Sequence, residues 1–312
     1  MFRFIRTAII AIAMMAPGAS AADRTLHIGL QKTGLFPFAR QLGTIEQRLA
    51  PLGVSVTWSE FPSGPPLLEA LNAGSIDLGY VGDAPPIFAL AGKSRIVLVA
   101  YTPQKGTTGT ILVPRDSPIA SLADLKGKKV AYVRGSSAHN VLLASLASAG
   151  LRISDVESAL LSPADAAAAF VSGKVDAWSI WDPFAAVAEL RDGARRLTDA
   201  PPSASFVVAR ADYAAAHPDV VAAADDEFNK AGAYARDHRP DYVHFTHEAT
   251  GVTEDALSLA INRVDAGDFA VLPITDAVIA KEQAVADSFT DAGLIPVRID
   301  IAAAAWRPAP GL

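Results

Sequence analysis

From Thr25 onward the chain repeats one pattern, a short apolar strand that runs through a tight turn into a helix, and this repetition constrains the fold more than any other feature. TLHIGL (25–30) leads through Gln31, Lys32, Thr33 and Gly34 into a helical stretch from about Pro37 to Leu49. VSVTWSEF (54–61) alternates cleanly. It leads through Ser63-Gly64-Pro65 into a helix that stops at Gly74. IDLGYVG (76–82) is followed by Asp83 and a helix opening Ala84-Pro85-Pro86, KVAYV (129–133) turns at Gly135 into a helix through Val141, Leu142 and Leu146, and VDAWSI (175–180) runs into Trp181, Asp182 and Pro183. Glycines at helix ends and prolines at helix starts mark these boundaries. Strands alternating with short helices imply an α/β protein whose sheets are parallel-based, with helices on their faces.

In such sheets ligands bind beyond the carboxyl ends of the strands. The turns at 31–34, 61–64, 80–84, 134–137 and 180–182 are therefore the candidate site. The turn at Gly135 stands out, because a strand entering a helix through glycine leaves backbone N–H groups with no intrahelical partner. Gly135, Ser136, Ser137 and Ala138 supply such groups without a proline, with the side chains of Ser136, Ser137, His139 and Asn140 as further donors. The plainer alternative is that Ser136 or Ser137 caps the helix. At the other turn, Pro85 and Pro86 lack N–H groups, so that helix offers mainly Gly82, Asp83 and Ala84, with Asp83 expected as its N-cap. Trp178 is expected in the core, and Trp181, on the turn itself, in the cleft. Asp182 is expected to cap the helix that follows.

Residues 1–21 fall outside the repeat. Arg3 and Arg6 precede an apolar run, Ala8 to Ala16, and Ala19-Ser20-Ala21 offers the small residues of a cleavage site, so an export signal is expected. The run is too short to span a bilayer. With no cysteine, the chain has no thiol nucleophile, no disulfide and no residue for a lipid anchor. A formal charge of −6, more acidic still without Arg3 and Arg6, makes nucleic acid and anionic membranes poor partners. His244 and His247 beside Glu248 lack a third ligand at convincing spacing, so no metal site is expected. Crossings between two lobes are expected at Gly106–Gly109 and at SFVVA (205–209). A first lobe of residues 22–104 and 211–312 and a second of 105–210 follow from that reading, and the C-terminal part reads as mostly helical.

The runs EFPSGPPLLEALNAGSIDLGYVGDAPPIFA (60–89), SLADLKGKKVAYVRGSSAHNVLL (121–143) and DAAAAFVSGKVDAWSIWDPF (165–184) resemble the aliphatic sulfonate-binding proteins of bacterial ABC importers, within the nitrate, sulfonate and taurine solute-binding group. The likeness extends from about Leu26 to GLIPVRID (293–300). It implies a two-lobed periplasmic binding protein, type II-like, joined by two hinge crossings, that closes over one small ligand and delivers it to a membrane permease. It also implies a monomer without cofactor. A sulfonate stays ionised and only accepts hydrogen bonds, so its site is built of donors. The head group is therefore expected on Gly135, Ser136 and Ser137, with His139 and Asn140 beside them and Gln31, Gly82 and Asp83 closing from the first lobe. A carboxylate turned to its own helix, as expected of Asp83, suits a sulfonate better than a phosphate. Lys32 is a candidate positive charge. The tail is expected against Trp181, with Phe36, Phe61 and Phe88 as further candidates, and Asp182 adjoins it. Taurine, nitrate, an aryl sulfonate or a sulfate ester is an alternative ligand. An exported enzyme is the alternative class, with Ser136 as nucleophile and His139 as base. Against it, RGSSA lacks the second glycine of a nucleophile elbow, and the desulfinase that shares this fold needs a cysteine.

Overall fold

Apolar strands that end in turn residues assemble here into two mixed sheets. In the computed structural model, which describes residues 24–104, 108–264 and 269–307, the first sheet holds β1 (Arg24–Leu30), β2 (Val54–Glu60), β3 (Leu78–Gly82), β4 (Ile96–Gln104), β10 (Ser203–Arg210) and β11 (Leu272–Pro273). Their order is β11-β4-β10-β3-β1-β2. The second sheet holds β5 (Gly109–Val113), β6 (Lys129–Tyr132), β7 (Glu157–Leu160), β8 (Ala177–Trp181) and β9 (Arg195–Asp199), in the order β7-β6-β8-β5-β9. The expected export signal, residues 1–21, lies outside the described residues, as do Gly106 and Thr107 of the first crossing. No helix among the described residues is long and apolar enough to cross a membrane.

Each sheet is a parallel set interrupted by one reversed strand. β1 pairs in parallel with β2 and β3, and β6 with β7 and β8. β10 runs antiparallel between β3 and β4, and β5 antiparallel between β8 and β9; β11 adds a two-residue antiparallel edge on β4. The cause lies in the crossings. A chain that leaves a parallel set at its carboxyl edge enters the other sheet from the edge facing it, so its first strand there runs backward. Both carboxyl edges therefore face one gap.

The second crossing falls earlier than the sequence suggests. SFVVA is not itself a crossing: β10 is an interior strand of the first sheet, and the chain passes between sheets through Ala200, Pro201 and Pro202. The expected second segment, 105–210, is thus corrected at its end, since Ser203–Arg210 hydrogen-bonds with β3 and β4. β10 is apolar and bracketed by its neighbours on both sides, a setting a strand propensity alone does not reveal.

Helices cover the faces. α1 (Phe36–Leu42) and α2 (Thr44–Leu49) replace the single expected helix because Gly43 takes φ 65°, a left-handed geometry that ends one helix and starts the next. Phe36 stacks on Phe228 of α9 (Pro218–Asp237) with ring centroids 3.8 Å apart, at the centre of the core on one face of the first sheet. α3 (Gly64–Asn72), α4 (Ala84–Ala91) and α12 (Asp276–Asp291) cover the other face. In the second sheet α5 (Ser137–Ser148) packs on one side and α6 (Pro163–Val171) and α7 (Phe184–Asp192) on the other, around Trp178, which is buried against Phe170. α8 (Ala211–Ala216), α10 (Arg239–Thr250) and α11 (Glu254–Ile261) complete the chain order.

Candidate ligand-binding cleft

The strand-end turns converge on one cleft between the sheets. Gln31 to Leu35, Gly64 and Tyr80 to Asp83 line it from the first sheet, and Ser136 to Ala138, Asn140, Val141 and Ile180 to Pro183 from the second. Helices α1, α3, α4, α5 and α7 all begin at its wall, and the last four differ in what they can donate. α3 has Pro65 and Pro66 after Gly64. In α4 the Ala84 N–H donates to Asp83 Oδ1 (2.8 Å), and Pro85 and Pro86 have none to give.

The first turn of α5 is free of proline. Ser136 is its N-cap, and the His139 and Asn140 N–H groups donate to the Ser136 carbonyl at 2.9 and 3.3 Å. The N–H groups of Ser137 and Ala138, at the first two helical positions, have no carbonyl four residues back to bond. They lie in the wall of the cleft, at the positive end of a 12-residue helix. This is a place for an anion.

Charge around it is sparse. Lys32 Nζ donates to the Thr250 carbonyl at 3.0 Å and sits 3.8 Å from Glu60, at the half-exposed mouth. Asp83 and Asp182 also line the cleft, yet both carboxylates are engaged by donors. Asp83 Oδ2 accepts from Asn140 Nδ2 at 2.7 Å across the gap, and the Ser137 hydroxyl also bonds Asp83. Burial pushes the Asp83 carboxyl up, against the opposing pull of these hydrogen bonds. Asp182 Oδ1 accepts from the Ala186 N–H (3.0 Å), which caps α7 from one position further upstream than expected, because Pro183 and not Asp182 is the residue flanking the helix.

Several expected donors are spent elsewhere. The Ser136 hydroxyl donates to the Val133 carbonyl at 2.8 Å, and the Asn140 amide is held by Asp83. Gln31 Nε2 donates to the Tyr80 carbonyl (2.9 Å). Gly135 and His139 are corrected outright: neither lines the cleft, because the Gly135 N–H donates to His139 Nδ1 (3.2 Å) and the imidazole lies among Tyr132, Phe88 and Phe289. The enzyme alternative loses its pair by the same geometry, since Ser136 and His139 each hydrogen-bond another residue. Gly82 does line the cleft, in close contact with Ser137 from the opposite side.

Trp181 lines the cleft half-buried, and its indole Nε1 is hidden from solvent with no partner in the protein. A buried N–H without an acceptor is costly, so this one is a donor in waiting. The other tail candidates are corrected. Phe36 is in the core, Phe88 packs on Phe289 and His139, and Phe61 packs in the cluster under α3 and α4. The apolar wall comes from Tyr242 of α10, Leu257, Ala260 and Ile261 of α11, and Val264 and Phe269. Apolar periodicity marks α11 as a helix with one buried side, but nothing in it says that this side meets a ligand and not a sheet.

The family described as NMT1/THI5-like matches over residues 52–241. The chain is 38% identical to a putative aliphatic sulfonates-binding protein of Escherichia coli K12 over 96% of its own length and 94% of that protein's. Its structure is similar to the alkanesulfonate-binding protein SsuA from Xanthomonas axonopodis pv. citri bound to MOPS, with a TM-score of 0.87, 38% identity, and coverage of 93% of this chain and 100% of that one. It is also similar to the crystal structure of the periplasmic aliphatic sulphonate-binding protein SsuA from E. coli, with a TM-score of 0.80, 37% identity, and coverage of 92% and 93%.

Proposed function

The chain belongs to the NMT1/THI5-like family, and on that premise we propose that it is a periplasmic solute-binding protein that captures aliphatic sulfonates and delivers them to the permease of an ABC transporter. The observation that carries the reading is a donor-only anion cradle, the Ser137 and Ala138 N–H groups, set beside an apolar wall. A sulfonate needs acceptors' partners at one end and a dry surface at the other. Nitrate has no tail to cover Leu257, Ile261 and Phe269, and a bare sulfate leaves the same surface wet.

Two lobes, one built on each sheet and joined at 104–109 and 199–203, close over the ligand as a monomer that acts by binding without turnover. The bonds Asn140 to Asp83 and Thr33 Oγ1 to the Asp182 carbonyl (2.9 Å) then exist only in the closed form. Residues 1–21 direct export. Gln31, Gly82, Asp83, Ser136, Ser137, Asn140, Trp181 and Asp182 form the site, with Ser137 and Trp181 touching the anion and Asp83, Asn140 and Asp182 holding the walls together.

Calorimetric titration of ligand-stripped protein tests this. Ethanesulfonate, octanesulfonate and MOPS are expected to bind near the micromolar range, about −8 kcal/mol, with sulfate and nitrate silent. Silence from every sulfonate would reject the reading. Within it, Trp181→Phe keeps a ring and removes the donor, so affinity falls by about 1.5 to 3 kcal/mol, the worth of a hydrogen bond to a charged group, and equally for ethane- and octanesulfonate. A loss that grows with chain length would assign Trp181 to the tail instead.

A further inference from the structure

We propose that Arg263 is a positioning residue for ligand capture, a cation of the first lobe that grips Asp182 and Glu189 of the second on closure and so fixes the Trp181–Pro183 turn over the ligand. The inference rests on the closing-cleft reading above. Its basis is the geometry of one guanidinium. Arg263 Nη1 lies 3.0 and 3.1 Å from Asp182 Oδ1 and Oδ2, and Nη2 lies 2.7 Å from Glu189 Oε2. Arg263 follows directly on α11, whose Leu257 and Ile261 form the apolar wall, while Asp182 and Glu189 belong to α7 and the turn before it.

The cation is built into its own lobe. The backbone N–H of Arg263 donates to the Ala260 carbonyl (3.1 Å), and Arg239 of α10 holds the same turn through the carbonyls of Ile261 (3.2 Å) and Val264 (3.3 Å). The two acids differ in what else they have. Glu189 also faces Arg196 of its own lobe at 3.4 Å, and the Asp182 carboxylate accepts from the Ala186 N–H and feels the Arg196 charge more weakly than that of Arg263. Asp182 is 7% exposed, and in the closed form Arg263 is the largest of the partners that offset its burial. In an open form Asp182 meets water instead. The carbonyl of the same residue accepts from Thr33, so the carboxylate and the carbonyl of Asp182 are both held from the first lobe, next in sequence to the unpartnered indole of Trp181.

A latch that forms on closing acts on escape more than on encounter. Arg263→Met is therefore expected to raise the dissociation rate of octanesulfonate about tenfold, with the association rate within about threefold of the parent, because truncating a buried charged pair acts mainly on dissociation. Arg263→Lys, which keeps the charge without the fork, should recover part of the loss. The thermal midpoint of the ligand-free protein should not move, while the upward shift produced by octanesulfonate should shrink. An unchanged dissociation rate in Arg263→Met overturns the proposal. So does a ligand-free midpoint that falls, or a variant that does not fold, since either makes Arg263 a structural residue in both forms. A parent protein that fails to bind octanesulfonate would instead reject the functional reading.

Discussion

Gly82→Ala is expected to lower sulfonate affinity by about a hundredfold while leaving the ligand-free protein as stable as the parent. Gly82 ends β3 at the cleft, and a Cβ there would overlap the Ser137 hydroxyl and press on the Ser137 Cβ at 3.2 Å, both from the opposite lobe. Nothing within 4 Å from its own lobe opposes the added methyl. The penalty therefore falls on the closed form alone. Ser137 must turn away, losing its bond to Asp83, and the remaining contact is overpacked, which together cost about 3 kcal/mol. That converts to roughly two decades of affinity. Calorimetry on Gly82→Ala gives the affinity, and a thermal melt of the ligand-free protein gives the control. Adding Ser137→Gly removes the obstructing side chain and should restore part of the lost closure. Parental affinity in Gly82→Ala would mean that the two lobes do not meet at this point when ligand is bound.

The strand-to-helix turns of this protein were readable because each carries residues with one strong local preference. Gly34 and Gly135 both adopt left-handed backbone at 73°, and Pro65, Pro85 and Pro163 sit in first helical turns. Such signals place turns, and the carboxyl-edge rule then places the cleft. Local signals do not fix which donor is already used. The Gly135 N–H read as part of an anion cradle because nothing in the sequence reveals that a histidine four residues on turns back to accept it. Likewise Ser136 bonds Val133 and Asn140 bonds Asp83, the latter across 57 residues and two sheets. The reversed strands β5 and β10 were opaque for a related reason: antiparallel insertion follows from where the crossings leave each sheet, and no single strand's composition records it. The apolar wall was missed because α11 looks like any helix with one buried face.

His139, misassigned to the cleft, gives the protein a second large and measurable property. Its ring is 1% exposed, stacks on Tyr132 at 4.8 Å and meets Phe289 at 5.1 Å, and its Nδ1 must stay unprotonated to accept from Gly135. Burial, with a smaller push from the Arg134 charge, brings its pKa down to about 4 from 6.5. Between those values an unfolded chain takes up a proton that the folded one refuses, so stability is lost as pH falls from 6.5 toward 4, by about 3 kcal/mol in all. Buried acids oppose this trend: Asp225 is pushed up to about 7, and burial also raises Asp83, Asp182 and Glu282, each of which gains stability on protonation as pH falls. The contrast with His139→Gln, which keeps a side-chain acceptor and cannot titrate, isolates the histidine. Urea unfolding at pH 7 and pH 4.5 should show the parent losing about 2 to 3 kcal/mol more than the variant across that interval. Parallel losses would mean that the imidazole is as free to protonate in the folded chain as in the unfolded one. Because Tyr132 belongs to one lobe and Phe88 and Phe289 to the other, the same proton also acts on closure. Sulfonate affinity should therefore weaken at acid pH in the parent and less in His139→Gln, and the ligand, ionised throughout, cannot be the source of that difference.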